Sequence, residues 1–112
     1  MRNFRELNVW KQGMDVAKEV YIILPNLPDY EKFGMNVQLA TSACSIPSNI
    51  AEGCGKSSDR DFKRYLEISL GSSYELETHS ILASEIHGLH SDSIIIKVQE
   101  EQMMLVSLIN KT

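Results

Sequence analysis

Residues 58–88 read SDRDFKRYLEISLGSSYELETHSILASEIHG and carry the longest amphipathic pattern in this 112-residue chain. Ser58 followed by Asp61 resembles a capping box, and Gly88 is a typical helix end. The pattern predicts one helix of roughly 30 residues, about 45 Å long. Its small central residues, 69 and 71–73, let another helix approach closely. The residues of one face recur at steps of three and four, the spacing of a helix. They are Phe62, Tyr65, Leu66, Ser69, Ser73, Leu76, Ser80, Ala83 and Ile86.

Three more segments show the same periodicity and predict helices at about 8–24, 30–54 and 92–110. Asn8 is the expected N-cap of the first segment, and Ser91 or Asp92 that of the last. Pro47 lies inside the second segment, where a proline removes one backbone hydrogen bond. We expect a kinked but continuous helix there; a break into two short helices is the alternative. Four such segments with short connections predict an all-α, antiparallel up-down-up-down four-helix bundle, with residues 1–112 as its single domain.

Composition and charge narrow the classes of function. Hydrophobic residues make up 43% and charged residues 23%, as in a globular protein. No apolar run approaches the roughly 20 residues that span a bilayer, and the N-terminus does not resemble a signal peptide, so we expect a cytoplasmic protein without membrane contact. The net charge of −4 weighs against strong nucleic-acid binding. Residues 1–64 carry +1 and residues 65–112 carry −5, so a phosphate-facing surface is expected from the first half.

The sequence predicts no enzyme, metal site, cofactor or small-molecule substrate. Cys44 and Cys54 are too far apart along a helix for a disulfide, and neither is spaced from a base as a nucleophile would be. No Glu-x-x-His pair of the kind found in metal-binding bundles occurs. Histidines 79, 87 and 90 are expected at the surface or as C-terminal caps.

Two groups of residues are candidate sites. Asn49 and Glu52 share a helical face just after Pro47. They could form a functional polar site at the kink. The interpretation we favour is structural: their side chains form hydrogen bonds with backbone groups that the proline and the glycine-rich end leave without partners. The only dense basic cluster is a candidate nucleic-acid contact, although Asp59, Asp61 and Glu67 lie among its members and favour an ordinary solvated surface. Its members are Lys56, Arg60, Lys63 and Arg64.

Several short motifs resemble the four-helix-bundle proteins of bacterial 23S rRNA intervening sequences. The most specific is SIPSNIAEG at 45–53, accompanied in the same order by FRELNVW at 4–10, QL at 38–39, GS at 71–72 and ELE at 75–77. The resemblance extends roughly from Phe4 to Leu108 and implies an up-down-up-down bundle, a ring-like homopentamer and no established enzymatic activity. Relatives include the accessory bundle of diversity-generating retroelements, a basic pentamer that binds nucleic acid and a reverse transcriptase.

One departure from the family pattern bears on function. Members commonly carry an Arg-Arg pair beside the glutamine of the second helix, where this chain has Gln38, Leu39, Ala40 and Thr41. The missing pair weighs further against nucleic-acid binding. The sequence therefore favours a non-enzymatic scaffold whose partner is itself, in a homo-oligomer and most simply a homopentamer. The alternative is a nucleic-acid or ribonucleoprotein accessory factor that binds RNA or DNA weakly through a basic rim.

Overall fold

Four α-helices and three short 3-10 turns make up the computed structural model, which describes residues 1–112. The helices are α1 (Asn8–Ile23), α2 (Met35–Cys54), α3 (Asp59–His87) and α4 (Asp92–Lys111), and the chain contains no strand. The 3-10 turns span Phe4–Glu6, Leu24–Asn26 and Asp29–Glu31. None of the helices combines the length and the apolar character needed to cross a membrane. The expected all-α fold of four helices is confirmed.

The helix boundaries follow the sequence signals at α3 and depart from them at α2. The Ser58 hydroxyl accepts a hydrogen bond from the Asp61 N–H at 3.1 Å, as the capping pattern predicted, and α3 ends at Gly88, whose φ of +66° favours glycine. The predicted start of α2 near residue 30 was wrong, because residues 29–31 form a separate 3-10 turn. The cap of α1 was also misplaced: Asn8 is its first helical residue, and Leu7 precedes it without a side-chain cap.

Pro47 lies within α2, which continues from Met35 to Cys54. The alternative of two short helices is therefore wrong. The side chain of Pro47 is buried. Whether the helix axis bends at this position stays a prediction.

Each helix packs against its neighbours in sequence, and α4 also contacts α1, which closes the bundle. The core holds 19 buried apolar residues drawn from all four helices and from the connections between them. The largest fully buried side chains are Phe62, Leu39, Ile46, Ile50, Leu66, Leu76, Ile94, Leu105, Glu101, Val16, Val20 and Val98. All but one of these are apolar, so burial of apolar surface is the main stabilising contribution.

The most extensive helix contact joins α2 and α3, and small side chains allow it. Ser69 is fully buried and donates to the carbonyl of Ile46 at 2.8 Å. A Cβ atom on Gly53 would lie 2.8 Å from the Cβ of Tyr65, closer than real atoms approach. The predicted close approach to the small-residue face of α3 is thus confirmed, with α2 as the partner.

We expect Gly53→Ala and Gly71→Ala to change stability in opposite directions. The first forces Tyr65 and the α3 backbone away, so the free energy of unfolding should fall by about 1–3 kcal/mol. At Gly71 a Cβ meets nothing within 4 Å, so alanine's better helix propensity should raise it by about 0.5–1 kcal/mol. Urea unfolding of both variants measures these changes. Equal effects would contradict the close approach at Gly53.

Candidate functional site

The polar side chains just after Pro47 differ in their surroundings. The Asn49 amide donates to the carbonyl and to the hydroxyl of Ser45, each at 2.8 Å. Glu52 is exposed and has no side-chain hydrogen bond with Asn49. Pro47 leaves the carbonyl of Ala43 without its helical donor, so Asn49 binds a different group from the one that the proline opens.

The basic cluster at the start of α3 borders a cleft without apolar lining. Arg60, Lys63 and Arg64 are exposed along this cleft. Lys56 stands apart from it, with its Nζ atom 5.1 Å from the centre of the Tyr65 ring. The complete lining is Asp59, Arg60, Asp61, Lys63, Arg64, Glu67 and Thr112. Acidic and basic side chains alternate there, as the sequence indicated.

The N-terminal segment adds further cations to this end of the bundle. The Arg2 backbone N–H donates to the carbonyl of Cys54 at 3.0 Å. The Arg2 guanidinium pairs with Asp59 and lies 3.8 Å from the centre of the Phe62 ring. Folding therefore places residue 2 beside the basic cluster, which the sequence order did not suggest.

The segments 2–11, 52–67 and 111–112 meet at one end of the bundle. We call the surface that they form the basic end. These segments hold eight of the chain's 11 Lys and Arg residues and five of its 15 Asp and Glu residues, a net charge of +3. The remaining residues hold three basic and ten acidic side chains, a net charge of −7. The division into chain halves understated this asymmetry, because the first half also holds the acidic residues 15, 19, 29 and 31, and Lys111 lies in the second half.

A polar contact at the opposite end joins residues 56 positions apart. The His87 Nε2 atom lies 2.7 Å from Glu31 Oε2, and the other oxygen of Glu31 accepts from the Met35 N–H at 3.2 Å. Glu31 thus caps the start of α2 and links it to the end of α3. Of the two expected positions for the histidines, His87 takes the C-terminal one, in the last turn of α3, and its side chain is only 6% exposed. Nothing in the local sequence signals a pair this distant.

Glu101 of α4 is a second polar feature that the prediction from sequence missed. Its side chain is fully buried, and neither carboxyl oxygen has a hydrogen-bond partner. Burial raises the pKa of this carboxyl to about 8. The helical spacing of Ile94, Val98, Leu105 and Ile109 places residue 101 on the same buried face. This spacing was the available signal for its burial.

Groups with metal-binding or nucleophilic chemistry are scattered. No three His, Cys, Asp or Glu side chains lie close enough together to hold a metal ion. Cys44 and Cys54 are free thiols. Burial raises the pKa of the Cys54 thiol, which reduces its reactive thiolate fraction. The arrangement offers charged and apolar surfaces more than reactive groups.

The helices, the closed bundle and the polar surfaces define a small all-α protein of the four-helix class. The family model described as 23S rRNA-intervening sequence protein matches residues 5–110. The chain belongs to this family. The resemblance found in its motifs is thereby confirmed.

A solved relative supports the same assignment. A crystal structure of a protein with unknown function from the S23 ribosomal protein family of Bacteroides thetaiotaomicron VPI-5482 is similar, with a TM-score of 0.82 and 27% sequence identity. The similarity covers 90% of this chain and 97% of the other. No curated protein matches this chain. The fold and family are shared, and the function has to be argued from the surfaces.

The contact between Glu31 and His87 predicts that the protein loses stability as the pH becomes acidic. The hydrogen bonds from His87 and from the Met35 N–H lower the pKa of Glu31 below its ordinary 4.5. A lowered folded pKa contributes stability above the ordinary value, and this contribution disappears as the pH falls through the folded pKa. The Tm of Glu31→Gln should therefore lie below that of the unsubstituted protein near pH 7, and the two should converge as the pH falls below 4.5 and through the folded pKa of Glu31.

Thermal unfolding across this pH range measures the difference. Glu85→Gln is the matched control, because Glu85 is exposed on α3. A constant gap between Glu31→Gln and the unsubstituted protein at every pH would contradict the role of the carboxylate.

Proposed function

We propose that this chain is a non-enzymatic scaffold that assembles with copies of itself, with a homopentamer as the expected form. The observation that carries the proposal is the outer face of α2. Among the 20 residues of this helix only Glu52 is charged, whereas α4, of the same length, carries five charged residues. A solvent-exposed helix normally presents charges to water, and interface cores are depleted of them.

The groove between α1 and α2 extends this surface, and Lys18 is the one charged residue that lines it. Met14, Tyr21 and Ile22 of α1 line it beside Cys44 and Pro47 of α2. Ile22 is 73% exposed and Tyr21 54%. Adjoining exposed apolar side chains of this kind mark interaction surfaces. We assign the α1–α2 groove as one half of the contact between subunits.

A ring requires a second, different surface on each subunit, since only a head-to-tail contact closes into a cycle of five. Helix α3 supplies a candidate in three exposed apolar residues, Ile81, Leu82 and Ile86. Inserting this ridge into the α1–α2 groove of the next copy would cover both surfaces. The pentameric number itself rests on the family resemblance.

Up-down-up-down topology suits such a subunit, and we infer it from the order of the contacts. Ile46 bonds to Ser69, whereas Gly53, further along α2, lies against Tyr65, earlier in α3. On the other side of the bundle Gln12 reaches Glu100 and Glu19 reaches Lys97. In both helix pairs, residues later in one helix contact residues earlier in the other, which supports an antiparallel arrangement.

A bend of α2 at Pro47 is part of the same proposal. The proline ring presses on the preceding turn and removes one backbone hydrogen bond, the usual cause of a kink. Pro47 also lines the α1–α2 groove, so a bend there would shape the proposed contact surface.

We expect light scattering at micromolar concentration to give about five times the 12.7 kDa mass of the chain. Ser48→Glu should reduce this mass toward that of a monomer, because it puts a charge in the groove. Ser107→Glu is the matched control on α4, where the serine is also exposed, and should leave the mass unchanged. A monomeric unsubstituted protein would refute the assembly, and an unaffected Ser48→Glu would refute the groove.

The second candidate function is weak, non-specific binding of RNA or DNA, and the basic end favours it. A cyclic assembly places the same end of every subunit on one side of the ring. Five copies of a surface with a net charge of +3 would then form a basic rim, and avidity would multiply weak phosphate contacts. Interleaved acids and the acidic remainder of the chain limit the affinity of each copy.

Arg60→Glu combined with Arg64→Glu should abolish retention on immobilised RNA at low salt while the oligomer mass stays unchanged. Single Arg64→Glu should weaken retention, whereas Lys32→Glu, with the same charge change at the other end, should not. Because such contacts depend on counterion release, retention should disappear by about 200 mM salt. Binding that survives this salt or the double change would show that the basic end is not the contact.

A further inference from the structure

Glu101 is the one charged residue among the buried side chains of the bundle. The other buried polar residues are five serines, and four of them donate to backbone carbonyls. Ser42 bonds to Gln38, Ser69 to Ile46, Ser73 to Leu70, and Ser91 to Ser80. The Ser80 hydroxyl has no partner. Both oxygens of Glu101 are without a partner.

Gly13 has no side chain and so forms a notch in α1 that holds this carboxyl group. A Cβ atom on Gly13 would lie 2.8 Å from Glu101 Oε2. The same point is 3.2 Å from the Cγ2 of Ile46 and 3.5 Å from the backbone nitrogen of Pro47. The carboxyl group therefore lies where α1, α2 and α4 meet.

The charged groups of the packed helices are either exposed, as Lys11, Asp15 and Lys18 of α1 are, or paired with residues other than Glu101. On α1, Glu19 pairs with Lys97 of α4, and Gln12 bonds to Glu100. On α3, Glu77 accepts from the α4 side chains Gln99 and Gln102. On α2 the sole charged residue, Glu52, is exposed. None of these groups changes the pKa of Glu101, for which burial is the only cause.

The surrounding backbone suits a neutral acid and opposes a carboxylate. An ionised carboxylate only accepts hydrogen bonds, whereas the neutral acid has one O–H donor. Pro47 has no N–H to offer, and it leaves the Ala43 carbonyl of the same turn without a helical donor. Neither carboxyl oxygen of Glu101 meets a donor, and a carboxylate in this position would keep its charge without a hydrogen bond.

We propose that Glu101 is a proton-dependent latch, whose neutral form lets α4 close on α1 and α2 and whose ionised form opposes that closure. The latch concerns the stability of each bundle and holds whatever the assembled protein binds. It would make each bundle more stable at acidic pH and less stable at alkaline pH.

The direction of the pH dependence follows from proton binding. The pKa of Glu101 is about 8 in the folded chain against an ordinary 4.5. Between these values the folded chain holds a proton that the unfolded chain has released. The unfolding equilibrium constant should therefore rise about tenfold per pH unit in this range and level off above it.

The test compares urea unfolding of the unsubstituted protein with Glu101→Gln at equal protein concentration from about pH 5 to about pH 9. Glutamine keeps the shape and cannot ionise, so the ratio of the two unfolding constants should change about tenfold per pH unit up to about pH 8. Glu100→Gln, one residue earlier and exposed, is the matched control and should retain the full pH dependence. Parallel curves for Glu101→Gln and the unsubstituted protein would overturn the proposal.

A second measurement needs no variant and covers the case in which Glu101→Gln does not fold. In the unsubstituted protein with ¹³C-labelled glutamate, one carboxyl resonance should titrate near pH 8, the value that burial gives Glu101. Titration of every glutamate carboxyl near its ordinary pKa of about 4.3 would refute the latch.

Discussion

Close packing of α2 on α3 is the constraint on which the rest of the bundle depends. Gly53 brings the two backbones together where a side chain would collide with Tyr65. Further along, the Ser45 and Ser72 hydroxyls lie 2.7 Å apart. Short hydroxyl side chains suit such a contact because they fill little space and can bond to the helix itself. Larger residues here would separate the helices and open the core.

The charges are distributed unevenly over the bundle. Helix α2 is covered by α1 and α3 on its inner sides, and its outer face is nearly free of charge. Eight of the 11 Lys and Arg residues lie at the basic end, where the segments 2–11, 52–67 and 111–112 meet. An uncharged flank and a charged end give one small bundle two distinct surfaces. The flank suits lateral contact with other copies, and the end suits a phosphate-bearing ligand.

The sequence predicted what depends on local spacing and missed what depends on distant contacts. Helical periodicity placed four helices, and the Ser58 cap was read correctly. The start of α2 was misplaced because Phe33 appeared to continue the apolar pattern, yet it is 87% exposed. The basic cluster was found, but Arg2 joins it only through the fold. Glu101 lies on the apolar face of α4 between Val98 and Leu105, so helical spacing could have indicated its burial, whereas the space beside Gly13 became evident only in the fold.

Pro47 connects the surface proposal with the buried acid. One side of this residue lines the groove between α1 and α2, and its nitrogen lies beside the notch at Gly13 that holds the Glu101 carboxyl. A neighbouring subunit bound in that groove would contact the turn of α2 that contains Pro47. The Glu101 carboxyl lies beside the same turn inside the bundle. Linkage between two sites is reciprocal, so a protonation state that favours assembly is itself favoured by assembly. Pro47 therefore lies between the proposed subunit contact in the groove and the proposed proton-dependent contact in the core.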